Sequence, residues 1–315
     1  MKHRCLYCYD WIEKEIDFHD KCSITFFGAA IPPTIPYSLD QMSELAKDVV
    51  ERSVAVPGVQ AKLSMTIVKE AIGISDTRLM LVGALGGLYI LKPPTDQFPE
   101  MPANEHVTMR IAEAFGIRVV PSSLIRLKSG ELSYITKRID RTANGEKIHM
   151  VDMFQITEAY DKYKSSMERI GKALHNYSDN TLLDKVLYFE LSLFSFLTGN
   201  NDMHLKSFSM ISSPSGWVLA PAYDLLNVAI VNPDDTEELA LTIEGKKKKL
   251  KREYFEGLGK GMGLTNKQIL GAFNRMDRNK QKAIEWIKIS FLSDRMKESY
   301  INLLEVRYRQ LKTAQ

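Results

Sequence analysis

The sequence predicts an α+β fold with two lobes, in which a strand-rich first half precedes a helical second half. Residues 54–139 favour strands, whereas after about residue 145 the apolar residues recur at helical spacing. Parallel strand–helix–strand units are not evident, which argues against a doubly wound sheet. We therefore expect a small N-terminal segment at 1–30, a strand-rich lobe at 31–145 and a helical lobe at 146–315.

The first half contains the predicted strands. A proline-rich connector, 31–36, ends the N-terminal segment, because proline disfavours both helices and central strands. Gly86-Gly87 predicts a hairpin turn. The spacing of apolar residues predicts helices at 39–52 and 103–115, and strands at 62–68, 79–91, 117–127 and 132–139.

The second half is predicted to consist mainly of helices. Segment 182–197 is apolar on nearly every face, which predicts a buried central helix. Thr265 and Gln268 fit a capping box, which predicts the start of another helix. Two amphipathic helices, at 281–292 and 294–311, are predicted to close the chain.

The composition is typical of a globular protein and argues against several functions. Hydrophobic residues make up 44% of the 315 residues, and charged residues make up 26%. The formal net charge of +3 is too small to predict a nucleic-acid or membrane partner. No uninterrupted apolar run is long enough to cross a bilayer, and residues 1–10 lack the apolar core of a signal peptide. We therefore expect a cytoplasmic protein.

Several polar residues have the types and positions that phosphoryl transfer from ATP requires. This reaction needs a backbone loop and a lysine for the phosphates, oxygen ligands for Mg²⁺, and a carboxylate that orients the attacking hydroxyl. Gly58 lies in a loop, Lys92 ends an apolar strand, and Glu105 lies on the next helix, where it can orient that lysine. Each of these also fits a plain turn or surface residue, so the three features alone leave the function open.

Two carboxylates in the second half are more specific. Asp202 lies in a polar loop that follows the buried helix, and burial of such residues costs several kcal/mol unless they are paired. Asp224 follows a short predicted strand, Trp217-Val218-Leu219. An acidic loop, a short hairpin and a second acid are typical of the catalytic and metal-binding region of a kinase.

Six segments of the chain together resemble, in order, the motifs of HipA-family Ser/Thr kinases. The strongest are Asp202-x-His204-x-Lys206 and the Ala-Pro-x-Tyr-Asp sequence that ends at Asp224. The six segments lie within about residues 50–300 and are 56–62, 89–94, 134–141, 201–210, 219–226 and 239–247. The resemblance implies a two-lobe protein kinase-like fold that uses ATP and Mg²⁺.

The resemblance also implies roles for individual residues. Asp202 would be the catalytic aspartate, Lys206 would steady the transferring charge, and Asp224 would bind Mg²⁺. Lys92 would pair with the ATP phosphates, and Lys137 to Ile139 would form the adenine hinge through main-chain groups. Further nucleotide contacts are implied at Val56, Gly58, Val59, His204 and Ser207.

Two positions depart from the family pattern. Ser207 stands where the family has an asparagine whose amide oxygen binds the metal, and a serine hydroxyl is a shorter and poorer Mg²⁺ ligand. The regulatory autophosphorylated serine of the family has its nearest counterpart here in Ser53. Ser53 also fits an ordinary polar residue.

The resemblance implies partners as well. It predicts a Ser/Thr protein kinase that acts as the toxin of a toxin–antitoxin system and phosphorylates a protein substrate. In the family, aminoacyl-tRNA synthetases are the precedent for that substrate. An antitoxin of the DNA-binding HipB type would neutralise the toxin. The chain is short, like HipT-type kinases, which implies a separate small HipS-like partner. We expect no membrane contact and no direct contact with nucleic acid.

The N-terminal segment predicts a zinc-ribbon-like site. Cys5, Cys8, His19 and Cys22 form two close pairs separated by a short loop, and four such ligands typically close a structural zinc tetrahedron. Three cysteines without an export signal do not predict disulfides. The alternatives are reduced cysteines in an ordered tail, or His3 as a competing ligand. We expect loss of zinc to loosen this segment and to spare ATP binding.

Two further functions stay open. Ser207 favours a catalytically weak kinase-like protein that binds ATP and acts through interactions. The cysteines, together with the basic run Lys246 to Lys249, favour a zinc-ribbon adaptor for nucleic acid. The basic run also fits a solvated hairpin tip.

Overall fold

The structure is a computed structural model that describes residues 3–13, 15–52, 62–69, 77–82 and 86–312. The chain divides into two compact units. The first comprises 1–106 with 120–147, and the second comprises 107–119 with 148–315. The division falls within a single helix, Met101–Ala114, which therefore contributes residues to both units.

The first unit begins with a small hairpin and a helix. Strand β1 (His3–Arg4) pairs antiparallel with β2 (Trp11–Ile12), and helix α1 (Asp20–Phe27) follows. Tyr9 adopts a left-handed backbone with φ 65°, which turns the chain between the two strands. Helix α2 (Leu39–Arg52) covers the residues predicted for it.

An antiparallel sheet forms the rest of the first unit. Its strands and the helix between them are β3 (Leu63–Lys69), β4 (Thr77–Leu81), β5 (Tyr89–Lys92), α3 (Met101–Ala114), β6 (Ser122–Arg126) and β7 (Leu132–Lys137). In the described residues the strand order is β4-β3-β5-β7-β6. The predicted strand 117–127 begins only at Ser122, directly after Pro121, which has no N–H group to donate to a ladder.

The predicted hairpin at Gly86-Gly87 is wrong. Strands β4 and β5 both pair with β3 and not with each other. Gly87 has φ 78°, and a Cβ atom there would lie 2.6 Å from the main-chain oxygen of Met65. This glycine is therefore needed for the close approach of the chain to β3, and not for a turn between neighbouring strands.

The second unit is largely helical. Its elements are β8 (Met150–Asp152), α4 (Met153–Ile156), α5 (Met167–Tyr177), α6 (Thr181–Leu197), β9 (Ser209–Ser213), β10 (Gly216–Leu219), α7 (Arg252–Gly261), α8 (Asn266–Ile289) and α9 (Asp294–Gln310). Strands β8, β9 and β10 form an antiparallel sheet with β9 in the middle. Helix α6 covers the predicted segment 182–197, and every residue from Tyr188 onward is buried, which confirms a buried helix for its second part. Leu182 and Leu183 at its start are 60% and 47% exposed, so the predicted burial does not extend over the first turn.

The end of the chain differs from the prediction in one respect. The capping box of Thr265 and Gln268 is present, but the helix that it starts continues to Ile289. The helix predicted at 281–292 is therefore the second half of α8. The polar run between residues 277 and 282 contains neither proline nor glycine, so the helix continues through it.

The basic run lies near a turn and has local partners. Lys247 forms an ion pair of 3.1 Å with Glu237, and Lys248 Nζ donates to Thr236 Oγ1 at 2.5 Å. Ile243 and Lys246 form an isolated antiparallel bridge. These contacts favour the solvated hairpin tip over a nucleic-acid surface.

None of the helices in the described part of the chain combines the length and the apolar character that a bilayer crossing requires.

Candidate active site and metal-binding cluster

A sharp turn after helix α6 starts the loop that contains Asp202. Gly199 has φ 69°, and a Cβ atom there would lie 2.3 Å from the Leu303 side chain and 2.7 Å from Asn227 Oδ1. Only glycine combines this backbone conformation with this close packing. The loop is held from the other side by Asn201, whose Nδ2 donates to Asp235 Oδ2 and to Glu237 O, both at 3.1 Å.

Asp202 is exposed, but both its main chain and its side chain have partners. Its main-chain oxygen accepts from His204 N at 2.8 Å and from Ser207 Oγ at 3.3 Å. Its carboxylate oxygen Oδ1 accepts from the phenol group of Tyr163 at 2.7 Å. The carboxylate therefore has a defined orientation at the surface of the unit.

The imidazole of His204 is affected by the charges of both carboxylates, Asp202 and Asp224. Burial lowers the pKa of its imidazole, while Asp202 and Asp224 both raise it and Lys162 lowers it. Its Nδ1 lies 3.1 Å from Ser207 Oγ. Asp202, His204 and Ser207 are therefore in contact within one loop, and the charge of Asp224 acts on the same imidazole.

The side chains of Lys206 and Ser207 differ in their exposure and in their contacts. Lys206 is exposed, and its ammonium lies 4.8 Å from the centre of the Phe154 ring. Ser207 is 7% exposed, and its hydroxyl stays within the loop through the contacts to Asp202 and His204.

Asp224 is fixed by the residue before it. The Tyr223 phenol donates to Lys206 O at 3.0 Å and lies 2.6 Å from Ser209 Oγ, which ties this segment to the Asp202 loop. Asp224 itself is half-buried and has a left-handed backbone with φ 60°. Aspartate is one of the few residue types other than glycine that adopt this conformation readily.

Lys92 and Glu105 form a buried ion pair in the first unit. Lys92 Nζ lies 2.6 Å from Glu105 Oε1, and the side chains are 5% and 1% exposed. The Lys92 ammonium also lies 5.3 Å from the centre of the Tyr134 ring. The structure thus brings together the strand-end lysine and the helical glutamate that the sequence singled out.

The predicted hinge follows strand β7. Lys137 N donates to Pro121 O at 3.0 Å, and the Lys137 ammonium lies 5.5 Å from the centre of the Phe26 ring, where burial lowers its pKa. Within the described ranges, the main-chain groups of Ile139 have no hydrogen-bond partner in the chain. The remaining predicted residues, Ser53, Val56, Gly58 and Val59, lie outside the described residues.

The four predicted zinc ligands come together. One ligand atom from each of Cys5, Cys8, His19 and Cys22 lies within 4.8 Å of all the others, and His3 is not part of this cluster. His19 Nδ1 is 3.5 Å from Cys8 Sγ and 3.8 Å from Cys22 Sγ. Three sulfurs and one imidazole nitrogen are the donor set of a closed structural zinc site.

The surroundings of the cluster suit a metal. His19 Nε2 lies 3.1 Å from Trp11 O, which can only accept, so the lone pair of the neutral ring is on Nδ1 and faces the sulfurs. The hydrogen bond from Cys8 lowers the pKa of Cys5 to about 4 and raises that of Cys8. At least one thiol of the cluster is therefore readily ionised, as metal ligation requires.

The cluster segment packs closely on the rest of the first unit. Leu124 N donates to Leu6 O at 3.2 Å, and Arg126 Nε donates to Asp17 Oδ1 at 2.9 Å. The buried Tyr9 phenol lies 2.8 Å from Nδ1 of His106, the residue next to Glu105. The segment is therefore not an independent tail. Contrary to the expectation from the sequence that ATP binding would be spared, we expect loss of zinc to disturb the Lys92–Glu105 pair as well.

The comparisons with known proteins agree with this geometry. The family model of the HipA-like C-terminal domain matches residues 54–284, which is well over half of the chain. The chain belongs to the HipA-like family. Over 214 residues it is 28% identical to a Haemophilus influenzae protein provisionally named a kinase, and the match covers 62% of this chain and 59% of that protein.

Two solved structures share the fold. HipA of Shewanella oneidensis, solved in a complex with HipB and operator DNA, matches with a TM-score of 0.68 at 22% identity over 82% of this chain and 65% of that chain. The Helicobacter pylori proinflammatory kinase CtkA matches with a TM-score of 0.54 at 18% identity over 74% and 90%. The predicted HipA-like protein kinase fold is thereby confirmed. The chain spans about three-fifths of the length of the Haemophilus relative.

Sequence reasoning missed three residues that contact the candidate sites. Tyr163 holds Asp202, and Tyr9 and His106 connect the cysteine segment to the helix that carries Glu105. Tyr163 lies in a polar loop without a motif, so no local pattern marked it. Tyr9 directly follows Cys8, and its position in the predicted zinc segment was the one available signal.

Proposed function

We propose that the chain is an ATP-dependent Ser/Thr protein kinase of the HipA type. The observation that supports it best is the buried pair of Lys92 and Glu105, with 2.6 Å between Nζ and Oε1. Protein kinases need such a lysine–glutamate pair in place before ATP phosphates are bound productively. A purely structural protein gains little from this arrangement, because buried charges cost more than an apolar pair of similar volume.

In this proposal each residue has a defined task. The ammonium group of Lys92 neutralises phosphate oxygens, and Glu105 keeps that ammonium in position. Main-chain groups between Lys137 and Ile139 bind the adenine ring. Asp202 orients the attacking hydroxyl and accepts its proton, while the exposed ammonium of Lys206 stabilises the charge that develops on the transferred group.

The residues present also fit Mg²⁺. Asp224 supplies a carboxylate and Ser207 a hydroxyl, and Mg²⁺ commonly takes one or two carboxylates while keeping several waters. Mg²⁺ held by these residues would neutralise negative charge on the phosphates. His204 and Val56, Gly58 and Val59 complete the proposed nucleotide contacts.

We further propose that the cysteine cluster binds one structural Zn²⁺. The four ligands of the cluster leave no open coordination position on the metal. The role of the zinc ion is therefore to hold an N-terminal segment that is too small to form a core of its own.

The proposed biological role is that of a toxin in a toxin–antitoxin system. The solved complex of Shewanella oneidensis HipA with HipB and DNA supports a DNA-binding antitoxin of the HipB type as partner. A protein serves as substrate, with an aminoacyl-tRNA synthetase as the candidate, and autophosphorylation occurs near Ser53. A small HipS-like protein is a further proposed partner.

A second candidate is a catalytically weak, ATP-binding interaction protein. The observation that favours it is Ser207, because its hydroxyl stays within its own loop through contacts to Asp202 O and His204 Nδ1.

Incubation with ATP and Mg²⁺, followed by intact-mass and phosphosite analysis, separates the two functions. The kinase gains phosphate on serine or threonine, and Asp202→Asn abolishes the gain without changing the melting temperature. Phosphate incorporation by Asp202→Asn at the wild-type rate contradicts the proposed site. ATP binding without incorporation by the wild type supports the second candidate.

A further inference from the structure

Tyr163 contacts Asp202 from a different segment of the second unit. Its phenol oxygen lies 2.7 Å from Asp202 Oδ1, although the two residues are 39 positions apart in the sequence. In the part of the chain that the structure describes, the other carboxylate oxygen, Oδ2, has no hydrogen-bond partner. The two oxygens of this carboxylate are therefore not equivalent.

The loop that carries Tyr163 is itself held against the Asp202 loop. Lys162 O accepts from Leu205 N at 3.2 Å, and Asp161 Oδ1 accepts from Tyr163 N at 2.8 Å. The Tyr163 ring meets the His204 ring edge-to-face, with 5.0 Å between the centroids and an angle of 77° between the planes. Although the ring is 39% exposed, its position is determined from three sides.

The phenol is a donor throughout the neutral pH range. Partial burial and the hydrogen bond to Asp202 raise the pKa of Tyr163 well above 10. Because a carboxylate only accepts, the hydrogen bond has one direction, from the phenol to Oδ1.

We infer that Tyr163 is a positioning residue for the proposed reaction: it occupies one oxygen of Asp202 and thereby directs the other toward the substrate hydroxyl. An exposed aspartate on a loop otherwise samples several rotamers, and proton acceptance requires one of them. A hydrogen bond to a charged group has a strength that corresponds to roughly a ten- to hundredfold change in rate. The inference rests on the kinase function proposed above.

Tyr163→Phe tests the inference, because it removes the hydroxyl and keeps the ring against His204. The matched control is Tyr160→Phe, since Tyr160 lies three residues earlier in the same loop and its side chain is fully exposed. Phosphate incorporation is measured on the full chain at several ATP concentrations, and nucleotide stoichiometry by equilibrium dialysis. We expect the kcat of Tyr163→Phe to fall roughly ten- to hundredfold with KM for ATP within about twofold of the wild type. Tyr160→Phe should match the wild type.

Three outcomes overturn the inference. An unchanged kcat in Tyr163→Phe means that the phenol does not position Asp202. A lower rate that is matched by a lower nucleotide stoichiometry means that Tyr163 only stabilises the fold. A wild type that binds ATP but incorporates no phosphate contradicts the proposed function, and the inference fails with it.

Discussion

The buried pair of Lys92 and Glu105 allows a quantitative test of its role in stability. We consider Glu105→Gln, which keeps the shape of the side chain and removes its charge. Both partners are almost fully buried, at 5% and 1% exposure, so the buried ammonium of Lys92 would lose the carboxylate charge that lies 2.6 Å from it. Breaking a buried pair from one side costs about 3–5 kcal/mol of the free energy of unfolding.

For the double variant Lys92→Met/Glu105→Leu we expect a different result. It removes both charges and fills the space with apolar groups, which is often neutral or stabilising. We therefore expect it to regain most of the loss seen in Glu105→Gln. Nucleotide binding should be impaired in both variants, because one lacks the lysine and the other lacks the carboxylate that orients it.

The assay is urea-induced unfolding followed by far-ultraviolet circular dichroism. Glu305→Gln is the matched control, because Lys280 and Glu305 are 2.7 Å apart but 30% and 41% exposed. Exposed pairs contribute about 0–1 kcal/mol, so this control should unfold almost like the wild type. A loss below about 1 kcal/mol in Glu105→Gln, or a double variant as unstable as the single one, would refute the reasoning.

Three further changes test other parts of the structure. Purified protein should contain about one zinc per chain, and Cys22→Ser should lower both the zinc content and the affinity for ATP. If elemental analysis finds no zinc in the wild type, the proposed metal site is wrong. Ser207→Asn should raise the phosphorylation rate at limiting Mg²⁺ about tenfold, because the amide oxygen reaches further than the hydroxyl. Equal rates in the wild type and in Ser207→Asn would show that the serine hydroxyl is an adequate metal ligand. Thr265→Ala should lower the free energy of unfolding by about 1 kcal/mol, because it removes the N-cap of α8; no change in urea denaturation would rule out a stabilising cap.

Features that depend on neighbours in the sequence could be predicted. The capping box of Thr265 and the apolar helix at 182–197 follow from local spacing, and the structure contains both, although the helix is fully buried only from Tyr188 onward. The cysteine and histidine spacing likewise predicted four ligand atoms that lie within 4.8 Å of one another. Lys92 and Glu105 are 13 residues apart, and the expectation that they meet followed from the chemistry of phosphate binding.

Features that depend on distant partners could not be predicted. Strand β3 lies between β4 and β5, and the glycine pair Gly86-Gly87, which suggested a hairpin, carries no information about this non-local pairing. The bond between Tyr163 and Asp202 joins loops without any periodic pattern. Tyr9 and His106 are 97 residues apart, and no sequence pattern connects the two segments that carry them.

The left-handed backbone at Asp224 changes what a mutational scan measures. Alanine at this position removes a carboxylate and also forces an unfavourable conformation, which costs about 1–2 kcal/mol. Asparagine tolerates the same conformation, so it removes the charge alone. Asp202 has no such backbone constraint. Uniform alanine replacement would therefore combine two effects at one acidic residue and isolate a single effect at the other, and a comparison of the two carboxylates requires asparagine at both.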